Sequence, residues 1–322
     1  VALTKGTGTE WAPAIASVGE AIAHLRSSGK VPAHVALLDR TIHPIVPDFP
    51  LQQVVEPLQV IFNAADGMPI HGQLFLPLDL NKGEKRLAVL FFHGGSRRQM
   101  TLGWNYGGYY HNAYAFNQYL ASRGYVVLSV NYRSGIGYGM EFREALNYGA
   151  GGASEFNDVL GAGLYLRGRM DVDPKRIGLW GGSYGGFLTA LGLARASDLF
   201  AAGVDLHGVH DWNLGIQNFV PQYNPLELPE QAHRAFESSP MFSVDTWRSP
   251  VLVIHGDDDR NVQFRETINL VEALRERDVE VEQLVFPDEV HDFLLHRHWL
   301  DAYHAAADFF DRKLKGVSDE SR

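Results

Sequence analysis

The sequence predicts an α/β fold, with a doubly wound, mostly parallel sheet, helices on both faces, and a short N-terminal β-containing arm. Three observations carry that expectation. From about residue 56 onward, short apolar runs rich in β-branched and aromatic residues alternate with segments of helical period. The order strand then helix repeats to the C-terminus, which suits parallel strands joined by crossover helices. One of the strands also runs through a glycine-rich turn directly into a helix.

Taken in order, Leu58–Phe62 and Ile70–Leu76 flank the turn Asp66-Gly67 and read as a hairpin entering the sheet. Leu87–Phe92, Tyr125–Asn131, Arg176–Trp180, Ala201–Leu206, Pro250–His255 and Val279–Phe286 are compact runs with the character of buried strands. Between them, Ala113–Arg123, Ser154–Gly168, Gly186–Ala194, Phe264–Arg277 and Trp299–Leu314 read as helices, each ending near glycine, proline or a cluster of charge. Residues 1–50 are different, with several prolines and two weak strand candidates, Ala21–Leu25 and His34–Leu38. Two strands that short cannot bury a core of their own. They are expected to form either an arm on the main domain, residues 51–322, or the end of a larger β module.

Composition narrows the function. With 322 residues, 45% hydrophobic and 20% charged, the chain has enough apolar material for a substantial core. A formal net charge of −10 argues against a nucleic-acid partner, and the longest basic cluster is only Arg97-Arg98. No apolar run is long enough to span a membrane, and the opening Val1–Gly6 is too polar for a signal peptide, so the chain is expected to be soluble. Zero cysteines remove disulfides, thiolate catalysis and cysteine-held metals together. They leave cytosol, periplasm and medium all open as compartments.

The chemistry concentrates at strand ends. Gly181-Gly182-Ser183-Tyr184-Gly185 fits G-x-S-x-G, in which a tight strand-to-helix turn lifts a serine hydroxyl above the sheet. A phosphate-cradling loop would need a lysine after the glycines, and none follows. A serine is a poor nucleophile unless an imidazole can take its proton, and the imidazole needs a carboxylate to orient it. In an α/β-hydrolase these follow in the order serine, acid, histidine, each on a loop after a later strand. Asp257-Asp258-Asp259 follows one strand and His291 the next, so Ser183 is expected as nucleophile and His291 as general base. Strand position alone does not separate the three aspartates. A metal site at His291, His296 and His298 has no familiar zinc spacing, and no cofactor is called for.

Acyl transfer also needs donors for a developing oxyanion. The backbone amides of Tyr184 and of Gly95, in the turn His93-Gly94-Gly95 after an early strand, are the expected pair. His207 and His210 are expected along a pocket wall. The first specificity pocket is expected to draw on the cluster Trp212, Phe219, Val220 and Tyr223.

These residues resemble the catalytic domain of the prolyl oligopeptidase family over roughly residues 57–315. The likeness rests on Gly181–Gly186, His93-Gly94-Gly95, Asn131–Gly139, Asp173–Ile177 and His255–Val262. It implies that Asp259 is the acid and that Asn261 reaches a substrate carbonyl. It also implies that residues 1–50 are the remnant of a β-propeller blade. His93 and Gly94 are expected to shape their turn, with His93 also in the substrate-binding region. The family's usual Tyr-Arg-Gly-Ser stretch reads Tyr132-Arg133-Ser134-Gly135 here. The expected function is a serine peptidase acting on short peptides through an acyl-enzyme. A carboxylesterase is the alternative, since triad and oxyanion hole do not separate amide from ester, and a catalytically dead binding module on the same fold is a third reading. Without the rest of a propeller, an exposed apolar rim would favour a homo-oligomer.

Overall fold

The computed structural model describes residues 2–6, 8–42 and 47–316. The expected divisions 1–50 and 51–322 therefore include residues 1, 7, 43–46 and 317–322, which lie outside the described residues.

The N-terminal part holds four strands where two were expected: β1 (Thr9–Ile15), β2 (Ile22–Ser27), β3 (His34–Leu37) and β4 (Arg40–Thr41), paired antiparallel in chain order. The outer strands escaped the sequence because β1 interrupts its pattern with Pro13 and bulges between Trp11 and Ala14, and β4 is two residues long. This sheet is fastened to the main body by polar groups. Tyr114 Oη donates to the Gly29 carbonyl at 2.7 Å, Ser27 Oγ donates to the Trp104 carbonyl at 2.8 Å, and Gln118 holds both the N–H and the carbonyl of Val55.

The main sheet has eight strands: β5 (Leu58–Asn63), β6 (Pro69–Phe75), β7 (Arg86–Phe92), β8 (Val126–Asn131), β9 (Val172–Gly182), β10 (Ala202–Leu206), β11 (Val251–Gly256) and β12 (Val281–Phe286). Their spatial order is β12-β11-β10-β9-β7-β8-β6-β5. β5 and β6 form the expected antiparallel hairpin, β6 lies antiparallel to β8, and every pairing from β8 to β12 is parallel. β9 starts four residues before the expected Arg176, and carries Pro174 where the β7–β9 register shifts. An irregular register is where a strand tolerates a residue that cannot donate to the ladder.

The helices are α1 (Gly108–Ser122), α2 (Met140–Arg143), α3 (Phe156–Arg167), α4 (Tyr184–Arg195), α5 (Trp212–Phe219), α6 (Pro229–Glu237), α7 (Arg265–Arg275) and α8 (His296–Phe310). The short helices α2, α5 and α6 were not expected. Alternate residues of the central strands feed two separate cores. Leu90 and Phe92 of β7 join Phe187 of α4 and Leu270 of α7 on one face, while Val89 and Phe91 join Phe116 of α1 and Phe309 of α8 on the other. That two-sided burial is why the central strands read as unbroken apolar runs.

Candidate active site

Parallel strands that all point one way bring their following loops to one edge of the sheet, where α/β proteins hold ligands. Here Phe92 of β7 pairs with Gly181 of β9, and Gly182 pairs with Leu206 of β10, so three of these loops leave the sheet side by side.

Ser183 joins β9 to α4 with φ 59° and ψ −120°, a region that residues with a Cβ rarely occupy. Such a conformation costs on the order of 1–3 kcal/mol and persists only where the surroundings over-determine it. Packing does that here. A Cβ on Gly185 would stand 2.0 Å from the Phe92 carbonyl oxygen, so α4 approaches β7 only because that Cβ is missing. The Ser183 N–H faces the Leu206 carbonyl at 2.9 Å and Nδ1 of His207 at 3.1 Å. The next amide, that of Tyr184, opens α4, at the end where helical N–H groups lack partners and the dipole favours negative charge.

The turn after β7 comes close to this point. A Cβ on Gly94 would lie 3.2 Å from Cβ of Ser183, and Gly95 takes a positive φ of 42°. His93 has no exposed surface, its ring stacks on Tyr132 with centroids 4.4 Å apart, and burial pushes its pKa down to about 4. It shapes the turn from beneath, as expected, but it is buried and absent from the cleft lining, so it does not border substrate as was also expected. The cause is the Tyr132 hydroxyl, which holds the His93 carbonyl at 2.8 Å.

Asp259 follows β11 and has a fully buried carboxylate with four donors. Oδ1 accepts the N–H groups of Asn261 at 2.8 Å and Val262 at 3.0 Å. Oδ2 faces Nδ1 of His291 at 2.6 Å and Nε2 of His255 at 3.1 Å. Burial alone would raise its pKa, but the hydrogen bonds from His255 and His291 hold it well below the usual carboxylate range. With Nδ1 of His291 engaged, Nε2 is the nitrogen left to act. Ser183, Tyr184, Gly95 and His291 share one cleft of about 440 Å³. The other two aspartates are used elsewhere: Asp257 accepts the N–H of Asp288 at 2.7 Å, and the exposed Asp258 pairs with Arg260.

His207 is fully buried, with its ring centroid 4.2 Å from that of His291 and Nε2 3.3 Å from the Tyr109 hydroxyl. Burial, then the neighbouring imidazoles of His291 and His255, push its pKa well below the ordinary histidine value. His210 does not line a wall either: it is buried with Nε2 2.6 Å from Asp205, and although burial pushes its pKa down, Asp205 and then Glu266 leave it raised. His291, His296 and His298 do not converge. Among the described residues, the group with ligand atoms within 4.8 Å of one another is His207, Asp259 and His291, whose atoms are engaged in the bonds above.

The expected pocket cluster splits. Trp212, at the start of α5, and Phe219, at its end, line the cleft with Asn261. Tyr223 is buried with its hydroxyl on Asn213, and Val220 lies outside the lining. The Tyr184 side chain turns away from the cleft floor to donate to buried Glu155, which also accepts the Gly149 N–H and the Ser134 hydroxyl. Burial pushes the Glu155 pKa up. Ser134, the residue in the family's glycine position, sits at φ 68°, so that exchange puts a side chain into the left-handed region and gives it a buried acceptor.

Behind the cleft, Glu266 of α7 accepts the N–H groups of His210 at 3.0 Å and Asp211 at 2.9 Å through Oε2, while its buried Oε1 has no partner among the described residues. Burial pushes its pKa up to about 7. A folded pKa above the unfolded value means that its stabilising share is complete below about pH 4.3 and lost as pH rises through about 7. Glu266→Gln keeps the acceptor and removes the charge. Its melting temperature is expected to match that of the parent near pH 5 and to exceed it near pH 8 by the equivalent of roughly 2 kcal/mol. A gap that does not change with pH would contradict this.

Comparison with known proteins agrees with this geometry. The model of the prolyl oligopeptidase family matches residues 112–317. The chain is 31% identical over 268 residues to dipeptidyl aminopeptidase BIII of Pseudoxanthomonas mexicana, covering 78% of this chain and 36% of that protein. It superposes on the acylaminoacyl peptidase of Pyrococcus horikoshii with a TM-score of 0.81 and 26% identity, covering 98% of this chain and 51% of the other. A solved acylaminoacyl peptidase in complex with Z-Gly-Gly-Phe-chloromethyl ketone gives a TM-score of 0.80 at 25% identity, with the same coverage, 98% and 51%. The chain thus spans about a third of the curated relative's length and about half of each solved one. No described helix is long and apolar enough to cross a membrane.

Proposed function

Because the chain belongs to the prolyl oligopeptidase family, we propose that it is the catalytic part of a serine peptidase that cleaves short peptides through an acyl-enzyme on Ser183. The observation that carries this reading is the convergence, at the ends of β9, β11 and β12, of a strained serine, a four-fold hydrogen-bonded aspartate and the histidine that aspartate orients. In the proposed reaction, His291 Nε2 takes the proton of Ser183 Oγ as the oxygen attacks the substrate carbonyl. The amides of Gly95 and Tyr184 hold the resulting oxyanion. The imidazolium, stabilised by Asp259, gives its proton to the departing amine, and water repeats the sequence to release the acid. A peptide substrate is favoured by the names of the relatives and by the peptide-like chloromethyl ketone held by one of the solved ones. Residues 1–50 are taken with it as the closing blade of a propeller, on the ground of their four-stranded antiparallel order.

The test is turnover of blocked and free-amino peptides beside a simple aryl ester, with fluorophosphonate labelling of Ser183. Ester turnover with every peptide untouched would replace this reading by a carboxylesterase. The same panel, run on the chain extended upstream by its native sequence, should shift the ratio toward peptides, because remote contacts position a scissile bond more than they position a small ester. An unchanged ratio would remove the propeller.

A further inference from the structure

Two arginines stand side by side on the turn after β7, in different surroundings. Arg97 is consumed by the protein: its guanidinium meets Glu144 at 2.8 Å, the Tyr148 hydroxyl at 3.0 Å and the Ser134 carbonyl at 3.1 Å. Arg98 has no carboxylate within ion-pair distance among the described residues. Its guanidinium carbon lies over the Tyr110 ring, 4.8 Å from the centroid, and its Nε is 3.3 Å from where a Cβ on Gly95 would stand. It lines the same cleft as Ser183 and His291.

We propose that Arg98 is a specificity-determining anion receptor on the leaving-group side of this cleft. It selects substrates whose departing amine carries a carboxylate close to the scissile bond, as a single C-terminal amino acid does. The proposal rests on the reading of Ser183 as nucleophile. The sheet order supplies the sides. From β10 and β11, on one side of β9, the chain brings Val209, Trp212 and Val262 to the cleft, and these offer carbon surface. From β7, on the other side, it brings Gly95 and the Arg98 cation. Acyl and leaving groups lie on opposite sides of the reacting carbon, so an apolar acyl side chain seated against Trp212 sends the leaving group toward Arg98.

The receptor is partly built in advance. Stacking on Tyr110 holds the guanidinium in place, so less side-chain freedom is lost when an anion arrives. Asp292 lines the same cleft next to His291. Arg98 is exposed, so its attraction is screened by salt.

The experiment compares N-acetyl-phenylalanyl-alanine with its C-terminal amide. The parent chain is expected to favour the free acid about tenfold in kcat/KM at low ionic strength, as one charge-assisted contact would give, with the preference shrinking as salt rises. In Arg98→Gln the acid-to-amide ratio is expected to fall to near one, and Arg98→Lys should keep part of it. No preference in the parent chain, or a preference that survives in Arg98→Gln, overturns the proposal. A peptide bound but not cut is read by its inhibition of aryl-ester turnover, where the same preference is required. If Ser183 takes no fluorophosphonate, the nucleophile reading fails instead. The acid-over-amide preference, measured then as binding to the Ser183→Ala chain, still decides the role of Arg98.

Discussion

Ser183→Ala is expected to leave the fold intact and to lower kcat on the order of 10⁴-fold or more, leaving only what binding and the oxyanion donors supply. The structure makes a clean outcome expected. The backbone of residue 183 is fixed by its N–H bonds to Leu206 and His207 and by the close packing of α4 on β7, none of which uses the hydroxyl. Thermal stability should therefore stay within about 0.5 kcal/mol of the parent. Ser183→Gly sharpens the test: it is equally inactive, but should be more stable than the alanine variant by about 1 kcal/mol, because glycine occupies this backbone region without a Cβ penalty. Substantial turnover in the alanine variant would move the nucleophile elsewhere. A glycine variant no more stable than alanine would show that φ 59° carries no strain.

The second large effect is expected at Asp259→Asn, with a loss on the order of 10⁴-fold in kcat at nearly unchanged fold. Oδ1 accepts two backbone N–H groups, so the amide oxygen of an asparagine must take that position. Its NH2 then faces Nδ1 of His291 and Nε2 of His255, donor against donor. His291 can meet that group only by moving its proton to Nε2, which leaves no lone pair for the serine. Asp257→Asn keeps an oxygen for the Asp288 N–H, and Asp258→Asn loses only an exposed pair with Arg260, so both should retain most activity in steady-state kinetics. Equal losses at all three positions would point to a broken loop rather than to an orienting acid.

The sheet was legible because β7, β8 and β11 are buried on both faces and are therefore largely apolar. Ser183, Asp259 and His291 could be picked out as candidates because each follows a strand: β9, β11 and β12. What escaped lies where long-range contacts decide. α5 and α6 fall in a stretch broken by Pro221, Pro225 and Pro229, which reads as loop, although Asp211 as N-cap and Pro229 in the first turn were the available signals. His207 and His210 were read as wall residues because nothing local shows that Asp205, Glu266 and the Ser183 amide close over them. The acid in the apolar strand β10, Asp205, was the one hint, since a buried carboxylate needs a partner. Tyr109, Tyr110 and Glu155 carried no signal, because their places depend on how α1 and α3 dock.

Tyr110, Tyr114 and Gln118 are spaced four apart on α1, and therefore share one side of the helix. Tyr110 borders the cleft, while Tyr114 and Gln118 grip Gly29 and Val55. α1 thus acts as a strut between the N-terminal sheet and the cleft wall that carries Arg98. Tyr109, the residue before Tyr110, meets Nε2 of His207 at 3.3 Å, so the same helix also reaches the imidazole that lies against the Ser183 amide and the His291 ring. One helix therefore joins the N-terminal sheet, the ring under Arg98 and the imidazole behind the serine in a single rigid element.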